Sequence, residues 1–135
     1  MPIEESSNLN MLTLAAAQAT GDTSFFYPKY FPLLTQWADY LVENLPDPFN
    51  QLCTDDFLGP IPHDTNLALK GIIGIKAYAS LLDLLNLPGS AHYAQIAQNY
   101  VQFWLNNAFD KDHYRLVSSW LTSNDTFDTL SFMKR

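Results

Sequence analysis

Two adjacent carboxylates, Asp55 and Asp56, sit in the stretch Thr54-Asp55-Asp56-Phe57-Leu58-Gly59-Pro60, shortly before a long apolar segment that opens at Asn66. A second acidic pair, Glu4 and Glu5, stands near the start of the chain. Paired carboxylates do hydrolytic work when one stays protonated as an acid and the other stays ionised as a base or nucleophile. Their separation decides whether water or the carboxylate attacks. The competing explanation is structural, because acids close to a helix start complement the positive end of the macrodipole without doing chemistry. Asn66 can hydrogen-bond a substrate amide or tie down the loop. Lys70 and Lys76 lie on an otherwise apolar helix, so each head group must find a partner or reach the surface. For Lys70 the partner can be the acidic rim.

The remaining reactive side chains offer less. His63, His92 and His113 have no ligand spacing, so neither a metal nor a cofactor is expected. Cys53 stands near His63, but a cysteine of this kind is more often buried and inert than nucleophilic. As the only cysteine it cannot form an internal disulfide. Trp37, Trp104 and the tyrosines fall mostly on helical stripes, which favours core over a sugar-stacking platform.

Helical periodicity supplies the elements that must position these groups, and no run alternates with period two over strand length. A first helix is expected from about Asn8 to Thr20, capped by Ser6, Ser7 or Asn8 and stopped by Gly21. A second is expected from Pro32 to Asn44, with Leu33, Leu34, Trp37, Ala38 and Leu41 on one side. The third, from Thr65 to Asn86 with Asp64 or Thr65 as cap, is apolar all round. The fourth, from Ser90 to Asn107, returns to one stripe of Tyr93, Ile96, Ala97, Tyr100, Val101 and Trp104. Buried and amphipathic helices therefore alternate, as in concentric helical layers. The inner helices then run parallel and their N-termini share a rim, which brings Glu4 and Glu5 toward Asp55 and Asp56. Gly71 and Gly74 each cost roughly 1 kcal/mol of helix propensity, and close helix contact is the expected compensation.

Composition narrows the function classes. The 135 residues carry a formal charge of -7 and only seven Lys and Arg, scattered along the chain, which argues against a nucleic-acid partner. No apolar run is long enough for a membrane-spanning helix, so no membrane partner is expected. Met1-Pro2-Ile3-Glu4-Glu5 lacks the basic and apolar regions of an export signal. Asn124-Asp125-Thr126 fits a glycosylation acceptor, a pattern that often arises by chance.

The clearest words are Thr54-Asp55-Asp56-Phe57 joined to Asn66-Leu67-Ala68-Leu69-Lys70-Gly71-Ile72-Ile73-Gly74-Ile75-Lys76-Ala77, supported by Met1-Pro2-Ile3-Glu4-Glu5-Ser6, Thr20-Gly21-Asp22-Thr23 and Gln36-Trp37-Ala38-Asp39-Tyr40-Leu41. Over about Met1 to Leu116 the chain resembles the central domain of fungal glutaminase A-like proteins. The resemblance implies an all-α fold, a partial α/α toroid of about two helical hairpins from an (α/α)6 barrel. It also implies secreted proteins that hydrolyse L-glutamine, a small-molecule substrate, to glutamate and ammonia. Glu4, Glu5, Asp55 and Asp56 are then the candidate catalytic acids, and Asn66 and Lys70 the candidate substrate-binding residues. Family members are several times longer, so the chain reads as a fragment: residues 1–116 a partial domain and 117–135 a divergent, weakly structured tail. Such a fragment is expected to be inactive alone and to self-associate through uncovered inner-helix surface. Two alternatives are a segment like a six-hairpin glycoside hydrolase and a noncatalytic helical association module.

Overall fold

The computed structural model describes residues 3–52, 57, 59–112 and 114–120. These form helices α1 (Ile3–Thr20), α2 (Phe31–Asn44), α3 (Thr65–Leu84) and α4 (Ser90–Ala108). Two short strand pairs join them, β1 (Asn50–Leu52) with β2 (Pro60–Pro62) and β3 (Phe109–Asp110) with β4 (Arg115–Leu116). The chain is mostly helical, as expected. The strands were not anticipated, because elements of two or three residues, one of them holding Pro60 and Pro62, carry no periodic signal.

Contacts along α3 fix the direction of every other helix. Ile3 faces Gly71 and Ser7 faces Gly74, so α1 runs parallel to α3. Leu45, just past α2, also faces Gly71 and Leu41 faces Gly74, while Thr35 Oγ1 bonds Tyr78 Oη at 2.7 Å. Rising numbers on α3 meet falling numbers on α2, so these two are antiparallel. Helix α4 is likewise antiparallel to α3, with Tyr93 against Tyr78 and Trp104 Nε1 donating to Thr65 O at 2.9 Å. The outer pair is stitched in parallel by Tyr93 Oη donating to Asp39 Oδ1 at 2.6 Å and Tyr100 Oη donating to Val42 O at 2.9 Å. Two parallel inner helices thus lie against two parallel outer ones.

Local sequence explains most helix boundaries. Asp64 caps α3 by accepting from Leu67 N at 2.7 Å, and Gly21, with φ +67°, follows α1 and bonds back to Ala17 O. Asn86, with φ +53°, lies just past α3, and Leu87 N reaches back to Leu82 O at 2.9 Å. Helix α1 differs from expectation, since it begins at Ile3 and not near Asn8. Ser6, Ser7 and Asn8 are therefore interior positions, and the Ser7 hydroxyl donates to Ile3 O at 2.6 Å. Glu4 and Glu5 lie inside the first turn instead of ahead of the helix.

Burial follows the layers, with one correction. On α3, twelve residues including Leu67, Ile72, Ile75, Tyr78, Leu81 and Leu82 are buried. Helix α1 is not enclosed in the same way: its buried residues are Ile3, Ser6, Ser7, Asn10 and Ala17, while Leu9 and Leu12 are 37% and 66% exposed. Helices α2 and α4 bury single stripes at Leu34, Ala38 and Leu41 and at Ala97, Trp104 and Ala108. Trp104 belongs to the core, as its helical position predicts.

Small residues let α1 approach α3. A Cβ on Gly74 would lie 2.7 Å from Ser7 Cα, a backbone atom that cannot move without shifting the helix. At Gly71 the obstacles are the ends of the Leu45 and Ile3 side chains, which can rotate. Gly74→Ala should therefore destabilise the fold by about 1–3 kcal/mol despite its better helix propensity, and Gly71→Ala by less. Urea unfolding of the two variants checks the order.

Candidate functional site

The N-terminal end of α3 collects the polar groups that the inner helices bring together. Lys70, in the second turn of α3, pairs with Glu4 from the first turn of α1, and both side chains are partly exposed. Parallel packing with Ile3 beside Gly71 makes this pair unavoidable, since it places the first turn of α1 against the second of α3. Glu5, one residue on and rotated around the helix, is exposed. Asn66 is exposed in the first turn of α3, one turn before Lys70. The structure thus joins Glu4 to Lys70, leaves Glu5 and Asn66 open at the same end, and places Asp55 and Asp56 outside the described residues.

Asp64 is the second acid of this end, and the sequence pointed to it only as a cap. Burial pushes its carboxyl above the usual carboxylate range, opposed by the Leu67 and Asn66 backbone N–H groups and reinforced by the Glu4 charge. A buried acid with a raised pKa is the form that can keep a proton. Its Oδ1 is occupied by Leu67 N, however, so the cap accounts for its position.

Sequence reasoning missed a third group. Asp47, in the loop after α2, holds His63 Nδ1 through both oxygens, at 2.7 and 2.9 Å. Asp47 Oδ1 also accepts from Phe49 N at 3.0 Å, and His63 N donates to Phe49 O at 2.8 Å. Phe49 and His63 both adopt left-handed backbone, with φ of +51° and +56°. The His63 ring lies near the edges of Phe49 and Trp120, with centroids 6.2 and 6.4 Å away. Trp120 is brought there by the segment after β4: Ser119 Oγ donates to Pro62 O at 2.6 Å, and Thr65 N donates to Ser118 O at 2.9 Å. The pairing spans sixteen positions of irregular chain, where no period exists to reveal it. The turn-forming run Pro46-Asp47-Pro48 was the only available signal.

The hairpin β1–β2 leads into this corner. Asn50 pairs with Pro62 at its base and Leu52 with Pro60 at its far end, so residues 53–59 connect its strands. His63 follows β2 directly and Asp64 caps α3 next.

Comparison with known proteins agrees with this helical arrangement. A family model described as the glutaminase A six helical-hairpin domain matches residues 1–130. The chain belongs to that family. It is 42% identical over 105 residues to glutaminase A of Aspergillus oryzae, an alignment covering 77% of this chain and 15% of the relative. It is 39% identical over 98 residues to a probable glutaminase of Arthroderma benhamiae, covering 70% of this chain and 11% of that protein. The chain therefore aligns with only a small share of these glutaminases. No solved structure matches it. Among the described residues, no helix is long and apolar enough to cross a membrane.

Asp64 makes the stability of this glutaminase-family segment depend on pH in a defined sense. Its folded pKa lies above the unfolded value, so its contribution is fully present below the unfolded pKa of about 3.9 and is lost as pH rises through the folded pKa. Asp64→Asn keeps a capping oxygen but removes the charge. Relative to wild type, the variant should gain stability at pH 7, and this gain should shrink as pH falls toward 3. Asp64→Ala should show the same dependence on pH but lie about 1 kcal/mol below Asp64→Asn at every pH, through the missing cap. Thermal melts from pH 3 to pH 7 separate the two effects.

Proposed function

We propose that the chain supplies part of the site of a glutaminase, in which L-glutamine is hydrolysed to L-glutamate and ammonia. The observation that carries this reading is the 42% identity to a protein named glutaminase A, within a family match over residues 1–130. In this reading one acid from Glu4, Glu5, Asp55 and Asp56 activates water and another assists departure of ammonia. Lys70 acts through Glu4, which it already holds, and the exposed Asn66 amide meets the polar groups of glutamine. The positive end of α3 favours the substrate carboxylate.

Ammonia release from glutamine, set beside sugar release from a glycan panel, tests the amide reading against its glycosidic rival. In a complete, active relative, replacing the residue aligned with Asp55 or Asp56 by Asn should lower turnover by about 100-fold or more while leaving the melting temperature nearly unchanged. Equal turnover would return those acids to a structural role.

A second reading, association without catalysis, is favoured by exposed apolar side chains on the inner helices: Leu9 and Leu12 on α1 and Ile73, 46% exposed, on α3. Uncovered surface of this kind favours self-association. The 135-residue chain should elute above monomer size, and the double variant Leu12→Glu with Ile73→Lys should shift toward monomer with unchanged helical content. Monomeric elution of the wild-type chain would remove the association reading.

A further inference from the structure

We propose that His63, oriented by Asp47, is the proton-transferring residue of this site, a role beyond the four acids and resting on the hydrolase reading above. The geometry carries it. Both Asp47 oxygens lie within 2.9 Å of His63 Nδ1, so Nδ1 is the protonated nitrogen and the neutral ring presents its lone pair on Nε2. Among the described residues Nε2 makes no hydrogen bond, and the side chain is 18% exposed. Asp47 is itself fixed by Phe49 N, and the two left-handed residues Phe49 and His63 hold the corner in a conformation that costs free energy. A hairpin brace needs only the Asp47–Nδ1 contact. The arrangement does more, because it fixes the tautomer and leaves the opposite nitrogen open, as in an aspartate-oriented general base.

The chemistry balances with groups already named. Nε2 takes a proton from water as the water oxygen bonds to the side-chain amide carbon of glutamine. The C–N bond then breaks as that proton passes from Nε2 to the departing nitrogen, which leaves as ammonia, and the side-chain carboxyl group of glutamate remains. Asp47 touches no reacting atom and is a positioning residue. His63 directly follows β2 and immediately precedes Asp64, the cap of α3, so it stands in the chain beside the N-terminal end of that helix.

The test uses the 135-residue chain with 15N-labelled histidine, L-glutamine as probe and His92 as internal control. Expected are an Nδ1–H tautomer at His63, movement of the His63 Nε2 resonance on adding glutamine with no movement at His92, and loss of the tautomer preference in Asp47→Asn. His63→Asn tolerates the left-handed backbone and keeps a donor for Asp47 but cannot accept the proton. Where ammonia release is measurable, this variant should lower it by about 100-fold or more. An Nε2–H tautomer, an Nε2 signal indifferent to glutamine, or equal turnover in a folded His63→Asn chain would each overturn the proposal. Glutamine turnover that survives His63→Asn defeats this role but keeps the glutaminase reading. Sugar release with no action on glutamine defeats the glutaminase reading and, with it, the proton transfer to glutamine proposed here.

Discussion

The close parallel contact of α1 with α3 is the constraint on which the other arrangements depend. Gly74 removes a side chain where Ser7 Cα must pass, and the small Ser7 side chain keeps the α1 side of the seam thin. That proximity sets the axial offset between the helices, and the offset seats Glu4 against Lys70. A larger residue at either side of the seam would separate the helices and stretch the ion pair at the rim. The seam also has a polar cost: Asn10 on α1 is fully buried, and among the described residues neither polar atom of its amide has a hydrogen-bond partner. Such a group opposes folding, so apolar burial along α3 must outweigh it.

Outer helices are held less by close approach than by hydroxyl groups. Tyr78, Tyr93 and Tyr100 send their phenols toward Thr35, Asp39 and Val42, and burial pushes all three phenols above the usual tyrosine range. Each stays a neutral donor or acceptor across the physiological range.

How much of this was legible depended on whether a residue's role was local. Asp64 announced the start of α3 because a cap is written within three residues of the helix it serves, and apolar residues on every side announced its burial. The start of α1 was hidden because Ile3 to Asn8 holds only one apolar side chain among polar ones, whereas its helicity rests on contacts with α3 and α2. Lys70 was legible as a charge needing a partner, and the choice of Glu4 required the helix offset that Gly74 sets. Asp47 and His63 were illegible for a different reason: their pairing depends on two left-handed backbones and a hairpin of three residue pairs, none of which has a periodic signature. The Asp55-Asp56 motif, the clearest chemical word in the sequence, falls outside the described residues.

Exposure separates the layers a final time. The open faces of α2 and α4 are mostly polar, with Gln36, Asp39, Glu43, Gln95, Gln98, Asn99 and Gln102 beside Leu33 and Leu105, whereas the open faces of α1 and α3 carry Leu9, Leu12, Ala16 and Ile73 beside Asn66 and Lys76. Water suits the first set, while the apolar members of the second suit another helix. A six-hairpin family match gives that distinction a physical meaning, because hairpins repeated side by side would cover inner-helix flanks and leave outer faces wet. The same repetition would place further chain around the N-terminal ends of α1 and α3, where Glu4 already meets Lys70. Covering the flanks and walling the rim would then be one event, because both follow from seating the next hairpin against α1 and α3.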